Sequence, residues 1–185
     1  LEELADRLAI RRLVEDYARA ADRVDGAAAG ACFTADGVLR ICNRGQAEPA
    51  RVRNGPAEIE SAFAGLGRYD VTLHVVANHY VELDGDTGTG ETYCLAHHIH
   101  DADDGSGKLD FVMAIRYLDQ YRRTADGWRL AVRELQVEFT EDRPVTGPLA
   151  GPKTALREGP GSRDCVRAHH LPRHREGSLR RPRRR

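Results

Sequence analysis

Residues 72–98 have the sequence TLHVVANHYVELDGDTGTGETYCLAHH, which carries the strongest indication of the fold. Two β-rich runs, at about 70–83 and 89–101, flank the DGDTG segment, whose Asp-Gly pair is a strong hairpin signal. Further runs at about 109–123 and 128–140 follow the turn sequences DADDGSGK and TADG. The sequence therefore predicts a meander of four long antiparallel strands.

The segments before this meander are mostly helical. Residues 4–21 place leucines and other apolar residues at helical spacing, which predicts a first helix. A short second helix is expected at 27–33 and a short strand at 38–42, followed by an irregular polar stretch at 43–54. A third helix begins near Pro56 and ends near Gly65 to Gly67. Helices followed by a long meander predict an α+β domain whose strongly curved, mostly antiparallel sheet wraps around the helices and leaves a pocket.

Composition and charge divide the chain into two parts. Residues 1–143 are predicted to form one folded domain, and residues 144–185 a tail rich in Arg, Pro and Gly that is expected to be disordered. Residues 146–185 hold 11 Arg or Lys and 3 Asp or Glu, a charge of +8 that leaves −9 for the rest. An acidic body disfavours nucleic acid as the partner of the folded domain, whereas the basic tail is either solvated or a contact for acidic partners.

Two further classes of protein are disfavoured. No run approaches the roughly 20 apolar residues of a membrane span, and the charged N-terminal segment does not resemble a signal peptide, so a cytoplasmic protein is expected. The four cysteines, Cys32, Cys42, Cys94 and Cys165, show no paired spacing. Neither a zinc site nor a disulfide framework is indicated, and Cys32 and Cys94 are expected to be small buried residues.

Five polar residues lie in segments that otherwise consist of core residues. Tyr17 and Asp22 come late in the first helix, whereas His74, His98 and Arg133 lie on three different strands. Burial of an unpaired polar or charged group costs on the order of several kcal/mol, so such residues together indicate a lined cavity with chemistry in it. An aspartate bonded to one histidine ring nitrogen would make that histidine a candidate general base.

Structural alternatives exist for each of these residues. Tyr17 also fits an amphipathic core position, Asp22 a turn-forming one, and His74 a satisfied core histidine. Arg133 is either a cation in the pocket or a charge that extends to solvent. In the strand ETYCLAHHIH, period-two alternation places small residues and then His98 on one face, as expected beside a ligand.

Other kinds of site have weaker support. Histidines 74, 98 and 100, with the aspartates at 101, 103 and 104, could ligate a metal, but their spacing matches no zinc motif. A hydrolase triad is disfavoured because the sequence has no nucleophile elbow. We therefore expect neither a metal nor a cofactor.

Three stretches resemble the SnoaL-like polyketide cyclase and dehydratase family, a branch of the nuclear transport factor 2-like superfamily. They are LAIRRLVEDYARAAD, the hairpin quoted above, and YLDQYRRTADGWRLAVREL, and the resemblance spans residues 4 to about 141. Members include scytalone dehydratase, bile-acid 7α-dehydratases, a hexachlorocyclohexane dehydrochlorinase and ketosteroid isomerase. The resemblance implies a conical α+β barrel around a hydrophobic pocket and, for most members, catalysis without a cofactor.

The resemblance also implies roles for individual residues. Asp22 and His74 match the Asp-His dyad of the dehydratase members, Tyr17 a helix-borne tyrosine, His98 the second histidine of scytalone dehydratase, and Arg133 a late-strand arginine. The leading hypothesis is a cofactor-independent lyase or isomerase acting on a hydrophobic, oxygenated ring such as a polyketide, steroid or terpenoid. The alternative is a non-catalytic ligand-binding or assembly module, like the small subunit of ring-hydroxylating dioxygenases. Alternation also predicts apolar residues on the outer face of the sheet, among them Leu95, Phe111 and Ile115, which helices or another subunit must cover. A homodimer or homotrimer is therefore expected.

Overall fold

The computed structural model describes residues 1–147 and 149, which form helices and a six-stranded sheet, with the third helix between the second and third strands. The helices are α1 (Glu2–Arg23), α2 (Gly26–Ala31) and α3 (Gly55–Phe63), the last continued by a 3₁₀ turn at Ala64–Arg68. The strands are β1 (Phe33–Asn43), β2 (Arg51–Asn54), β3 (Val71–Asp84), β4 (Thr87–Asp101), β5 (Lys108–Thr124) and β6 (Gly127–Val145).

The sheet has the order β2-β1-β6-β5-β4-β3 and is open, with β2 and β3 at its edges. All neighbouring strands are antiparallel except β1 and β6, which are parallel. The β3–β4 and β5–β6 hairpins turn at Gly85 and Gly127, whose φ angles of 58° and 99° favour glycine. The predicted α+β class with a curved, mostly antiparallel sheet is confirmed.

Helix α1 packs against the inner face of the sheet. Glu2 and Glu3 lie in its first turn, where acidic side chains interact favourably with the helix dipole. Its buried face is apolar and packs in one core with residues of β4, β5 and β6; it consists of Ile10, Leu13, Val14, Tyr17, Ala20 and Ala21. The helix ends where Val24 adopts a left-handed conformation, with φ 54°. This stop places Asp22 in the last turn, facing β3.

Two details of the sheet differ from the prediction. The short strand β2 lies inside the stretch predicted to be irregular, and it exists because it pairs with Val38–Ile41 of β1. We also expected Phe111 and Ile115 on the outer face with Leu95. The register places Phe111 opposite His98 and Ile115 opposite Cys94, so both face the interior, while Leu95 is 46% exposed on the outer face.

The last described strand can be compared with the predicted domain boundary, which stays a prediction. Strand β6 continues to Val145, paired with Lys108, and so extends two residues past the expected end at 143. The predicted disordered tail lies outside the described residues apart from its first few positions. Cys32 and Cys94 are 6% and 2% exposed, which confirms their expected burial. Within the described range, no helix has the length and apolar character needed to cross a membrane.

Candidate functional site

An aspartate–histidine pair joins the end of α1 to β3. The Nδ1 atom of His74 lies 2.7 Å from Oδ1 of Asp22, and only 8% and 18% of the two side chains are exposed. The backbone N–H of His74 also donates to the same carboxylate, at 3.0 Å to Oδ1 and 3.2 Å to Oδ2. The carboxylate is therefore held in place by two groups of one residue.

Local contacts fix the position of this pair. The Thr72 hydroxyl lies 3.5 Å from the carbonyl oxygen of Ala21 and 3.4 Å from that of Asp22, close to the limit for a hydrogen bond, and so reaches two carbonyls in the last turn of α1. Thr72 and His74 share the inner face of β3, because side chains two residues apart point the same way. The helix end and the strand are thus joined at the position of Asp22.

His98 lies on the inner face of β4 beside the pair. Its ring is 3% exposed, and its centroid is 5.6 Å from that of His74 with the rings nearly perpendicular. Its Nδ1 lies 3.1 Å from the carbonyl oxygen of Phe111. Burial, opposed in part by this hydrogen bond, lowers the pKa of His98 to about 4. His98 is therefore neutral near pH 7, with a proton on Nδ1 and a lone pair on Nε2.

Tyr69, which the sequence analysis did not single out, also contacts the ring of His98. Its ring centroid lies 4.8 Å from that of His98, and it is 7% exposed. It directly follows the 3₁₀ turn, and the next backbone N–H, that of Asp70, bonds the carbonyl of Ile99 at 2.7 Å. In the sequence, Tyr69 is indicated only by its position as an aromatic residue directly after the Gly-rich segment AGLGR.

Arg133 is fully buried and belongs to a different part of the interior. Its guanidinium makes two hydrogen bonds to Asp119, Nε to Oδ1 at 2.8 Å and Nη2 to Oδ2 at 2.7 Å. Its Cζ lies 4.1 Å from the ring centroid of Tyr117 and 4.3 Å from that of Tyr17. Burial by itself lowers the pKa of Arg133, but the Asp119 charge outweighs it and raises the pKa. The alternative of an arginine extending to solvent is wrong.

Tyr17 lies with Arg133 in an aromatic cluster. Its ring makes edge-to-face contacts with Phe33, Phe63 and Tyr117 at centroid distances of 5.4 to 6.0 Å. Burial raises the pKa of its hydroxyl, so the phenol stays protonated. The predicted residues therefore fall into two groups: Asp22, His74 and His98 on one side, and Tyr17 with Arg133 on the other.

The described residues contain no group of three or more His, Cys, Asp or Glu arranged to hold a metal ion. Three surface grooves are formed mainly by residues of the sheet, and none of them includes Asp22 or His74. Between the two polar groups, β4 presents Ala96 and Cys94, which are 0% and 2% exposed. The side chains between the two groups are thus small and buried in the core, and none of these three grooves is the pocket that the sequence predicts between the helices and the sheet.

Comparisons with known proteins agree with this architecture. A family model described as the SnoaL-like domain matches residues 2–134. A proposed aromatic ring hydroxylase from Novosphingobium aromaticivorans is 26% identical, with a TM-score of 0.64 over 76% of this chain and 94% of that one.

Two other solved structures share the fold at lower identity. A proposed scytalone dehydratase from Novosphingobium aromaticivorans is 20% identical, with a TM-score of 0.65 over 77% of this chain and 91% of that one. A hexachlorocyclohexane dehydrochlorinase from Novosphingobium barchaimii is 18% identical, with a TM-score of 0.64 over 81% and 97% of the two chains. At these identities the likeness concerns the fold.

Proposed function

Because the chain belongs to the family of SnoaL-like domains, as its resemblance predicted, we propose that it is a cofactor-independent lyase or isomerase. It would remove a proton from a hydrophobic, oxygenated ring substrate of polyketide, steroid or terpenoid type. The observation that supports this proposal most strongly is the 2.7 Å contact between the largely buried side chains of Asp22 and His74.

His74 is the proposed general base. A carboxylate only accepts hydrogen bonds, so Nδ1 of His74 carries the proton that Asp22 binds, and Nε2 keeps its lone pair. When Nε2 takes a proton from the substrate, the adjacent carboxylate stabilises the imidazolium that forms. Asp22 does not need to move for this step, because the backbone N–H of His74 already holds it.

His98 has a different proposed role. Its low pKa makes it a poor base, but the Nε2 lone pair can accept a hydrogen bond from a substrate hydroxyl. This orients the hydroxyl beside the carbon from which His74 removes the proton. A substrate with a hydroxyl next to an acidic C–H bond fits this arrangement, which favours dehydration or isomerisation of a hydroxyketone. The protonated His74 would then return its proton, either to the leaving hydroxyl, which departs as water in a dehydration, or to another carbon in an isomerisation.

The outer face of the sheet supports self-association, and a homodimer or homotrimer is part of the proposal. Five apolar side chains there are between 42% and 57% exposed: Val71, Leu73, Val75, Leu95 and Phe139. A copy of the chain that covers them would remove this apolar surface from water. A non-catalytic assembly module would use the same surface, which makes such a module the second candidate function.

The test is a reaction panel with two matched variants. Wild-type protein is incubated in D₂O with hydrophobic ring hydroxyketones, and mass spectrometry detects loss of water or uptake of deuterium. Asp22→Asn should lower the rate about 10²-fold, because the imidazolium loses its counter-charge. Asp110→Asn, which alters a second Asp–His pair on the outer face, should leave the rate unchanged. Binding without any reaction across the panel would favour the assembly module.

A further inference from the structure

The described residues shield His98 almost completely from solvent, although the reaction proposed above needs this histidine to meet a substrate. Its ring is 3% exposed, and it lines none of the three grooves. Three aromatic rings contact it: Tyr69 at a centroid distance of 4.8 Å, His74 at 5.6 Å and Phe111 at 5.9 Å. A ligand can therefore reach His98 only if a side chain that packs on it moves.

Of these three residues, Tyr69 is the one that lies outside the sheet. His74 belongs to β3, where its backbone N–H and its ring both bind Asp22. Phe111 belongs to β5 and is paired with a strand on each side. Tyr69 lies between the 3₁₀ turn Ala64–Arg68 and β3. The backbone at Tyr69 can therefore shift without breaking any strand pairing, whereas the backbone at His74 or Phe111 cannot.

The 3₁₀ turn before Tyr69 is lightly packed. None of its five residues is buried. A methyl group added at Gly65 would meet no atom of the described residues within 4 Å, and one added at Gly67 would meet a single atom, at 3.9 Å. Segments with few buried contacts open locally at a low cost in free energy. The movement would end at Asp70, whose backbone N–H bonds the carbonyl of Ile99 on β4 at 2.7 Å.

Arg68, the last residue of the turn, holds the ring of Tyr69 in place. Its Nη2 donates a hydrogen bond to the Tyr69 hydroxyl, and its Cζ lies 4.6 Å from the centroid of the same ring. Arg68 is exposed, and cation–π contacts of exposed arginines are weak. The contact therefore favours the observed position of Tyr69 and still permits the ring to leave it.

We propose that Tyr69 is the gate of the candidate site. With Tyr69 in place, its ring excludes water from His98; with Tyr69 displaced, a ligand reaches His98 past the 3₁₀ turn. This inference rests on the proposed function, because it assumes that His98 meets a substrate. Tyr69 is a positioning residue, since it acts through His98 and takes no part in the proton transfer.

The gate also helps to keep His98 neutral. Burial is the largest cause of the low pKa of His98, which is about 4. Four neighbouring groups contribute less and in both directions: the Phe111 carbonyl and Asp110 raise this pKa, and His74 and Arg68 lower it. Tyr69→Ala removes part of the burial, so NMR titration should show the pKa of His98 rising from about 4 towards 6.5. Tyr69→Phe keeps the ring and should leave the pKa near 4.

The rate at which diethyl pyrocarbonate modifies His98 near pH 7, measured by peptide mass spectrometry, tests the gate directly. The reagent attacks a neutral imidazole and needs no substrate. Tyr69→Ala should raise this rate about tenfold, whereas Tyr69→Phe should change it by about twofold or less. Arg68→Ala alters an exposed residue and leaves Tyr69 itself intact. It should raise the rate about threefold, because the closed position of Tyr69 is less favoured.

Tyr93→Ala is the matched control, because Tyr93 also has an arginine on its ring, Arg116 at 4.8 Å, but lies on the outer face of β4. This variant should leave the His98 rate unchanged. An unchanged rate in folded Tyr69→Ala or in Arg68→Ala would overturn the gate, as would an equal rise in Tyr93→Ala. None of these results would affect the proposed function, which the deuterium-uptake panel tests separately.

Discussion

The part of the chain that the structure describes contains two Asp–His pairs of equal length on opposite faces of the same sheet. The Nδ1 atom of His97 lies 2.7 Å from Oδ2 of Asp110, the same distance as between His74 and Asp22. The His97 side chain is 28% exposed on the outer face, whereas the His74 side chain is 8% exposed and faces His98. The hydrogen bond alone therefore does not distinguish a base from a surface pair.

The two Asp–His pairs differ in the groups that surround them. Asp22 also binds the backbone N–H of His74, and the ring beyond His74 is a neutral histidine with a free lone pair. A substrate held there is shielded from water, and electrostatic interactions are stronger in such a site. His97 lies beside Leu73 and Leu95 on the exposed apolar surface. Under the proposed function the inner pair acts in catalysis, whereas the outer pair lies on the surface proposed for self-association.

The largest expected effect comes from removing each histidine in turn. His74→Ala should slow proton removal from an accepted substrate by about 10² to 10⁴-fold, the usual contribution of a positioned general base. His97→Ala should leave the rate within about twofold of wild type. Deuterium uptake followed by NMR measures both. Equal losses in the two variants would mean that the inner pair has no special role.

The second test concerns the stability of the interior. Asp119→Ala removes the partner of Arg133, which has no exposed surface. Breaking a buried ion pair on one side typically lowers the free energy of unfolding by about 3 to 5 kcal/mol. Urea unfolding monitored by circular dichroism gives this value. A loss below about 1 kcal/mol would show that Arg133 reaches water or another partner in solution.

The third test uses pH to ask whether the interior is closed. The pKa of His98 is lowered from 6.5 to about 4 in the folded protein, so between these values the unfolded chain binds a proton that the native state does not. The free energy of unfolding therefore contains the full contribution of neutral His98 above pH 6.5, and it falls by about 3 kcal/mol as the pH decreases to 4. His98→Gln should lack this part of the acid sensitivity in urea unfolding measured from pH 7.5 to 4. An unchanged pH dependence would indicate a solvated His98.

The fourth test concerns self-association through the outer face of the sheet and has the smallest expected effect on folding. Leu95 is 46% exposed, so Leu95→Ser should change the free energy of unfolding of the monomer by no more than about 0.5 kcal/mol. It should nevertheless reduce the oligomer seen by size-exclusion chromatography with light scattering. Leu4→Ser, on an exposed position of α1, is the control and should leave the oligomer intact. Oligomers of unchanged mass in both variants would contradict self-association through this face.

Sequence patterns were sufficient to place the candidate residues of β3 and β4 on the inner face of the sheet. Alternation places Cys94, Ala96 and His98 together on the inner face because one side of that strand is small or polar. The same rule failed for Phe111 and Ile115. Both faces of β5 are largely apolar, so alternation does not show which of them is the inner face. Only the hydrogen-bond register resolves such a strand.

The partner of Arg133 could not be predicted for a related reason. Counting back from the turn at Gly127 places Asp119 opposite Val132, but a bulge next to Gln120 shifts the register by one and places Arg133 there instead. The pairing of His97 with Asp110 is likewise a diagonal contact between strands, which sequence spacing does not reveal. The strand register, and not the local composition, determines which residues become partners in these pairs.

Chemical rescue tests the central claim most directly, namely that the inner imidazole is the base. Deuterium uptake into a hydroxyketone that the wild type accepts is measured for His74→Ala with and without added imidazole. The account predicts a slow variant whose rate rises with imidazole concentration, and a His97→Ala protein that does not respond. A His74→Ala protein that exchanges at the wild-type rate without imidazole would contradict it.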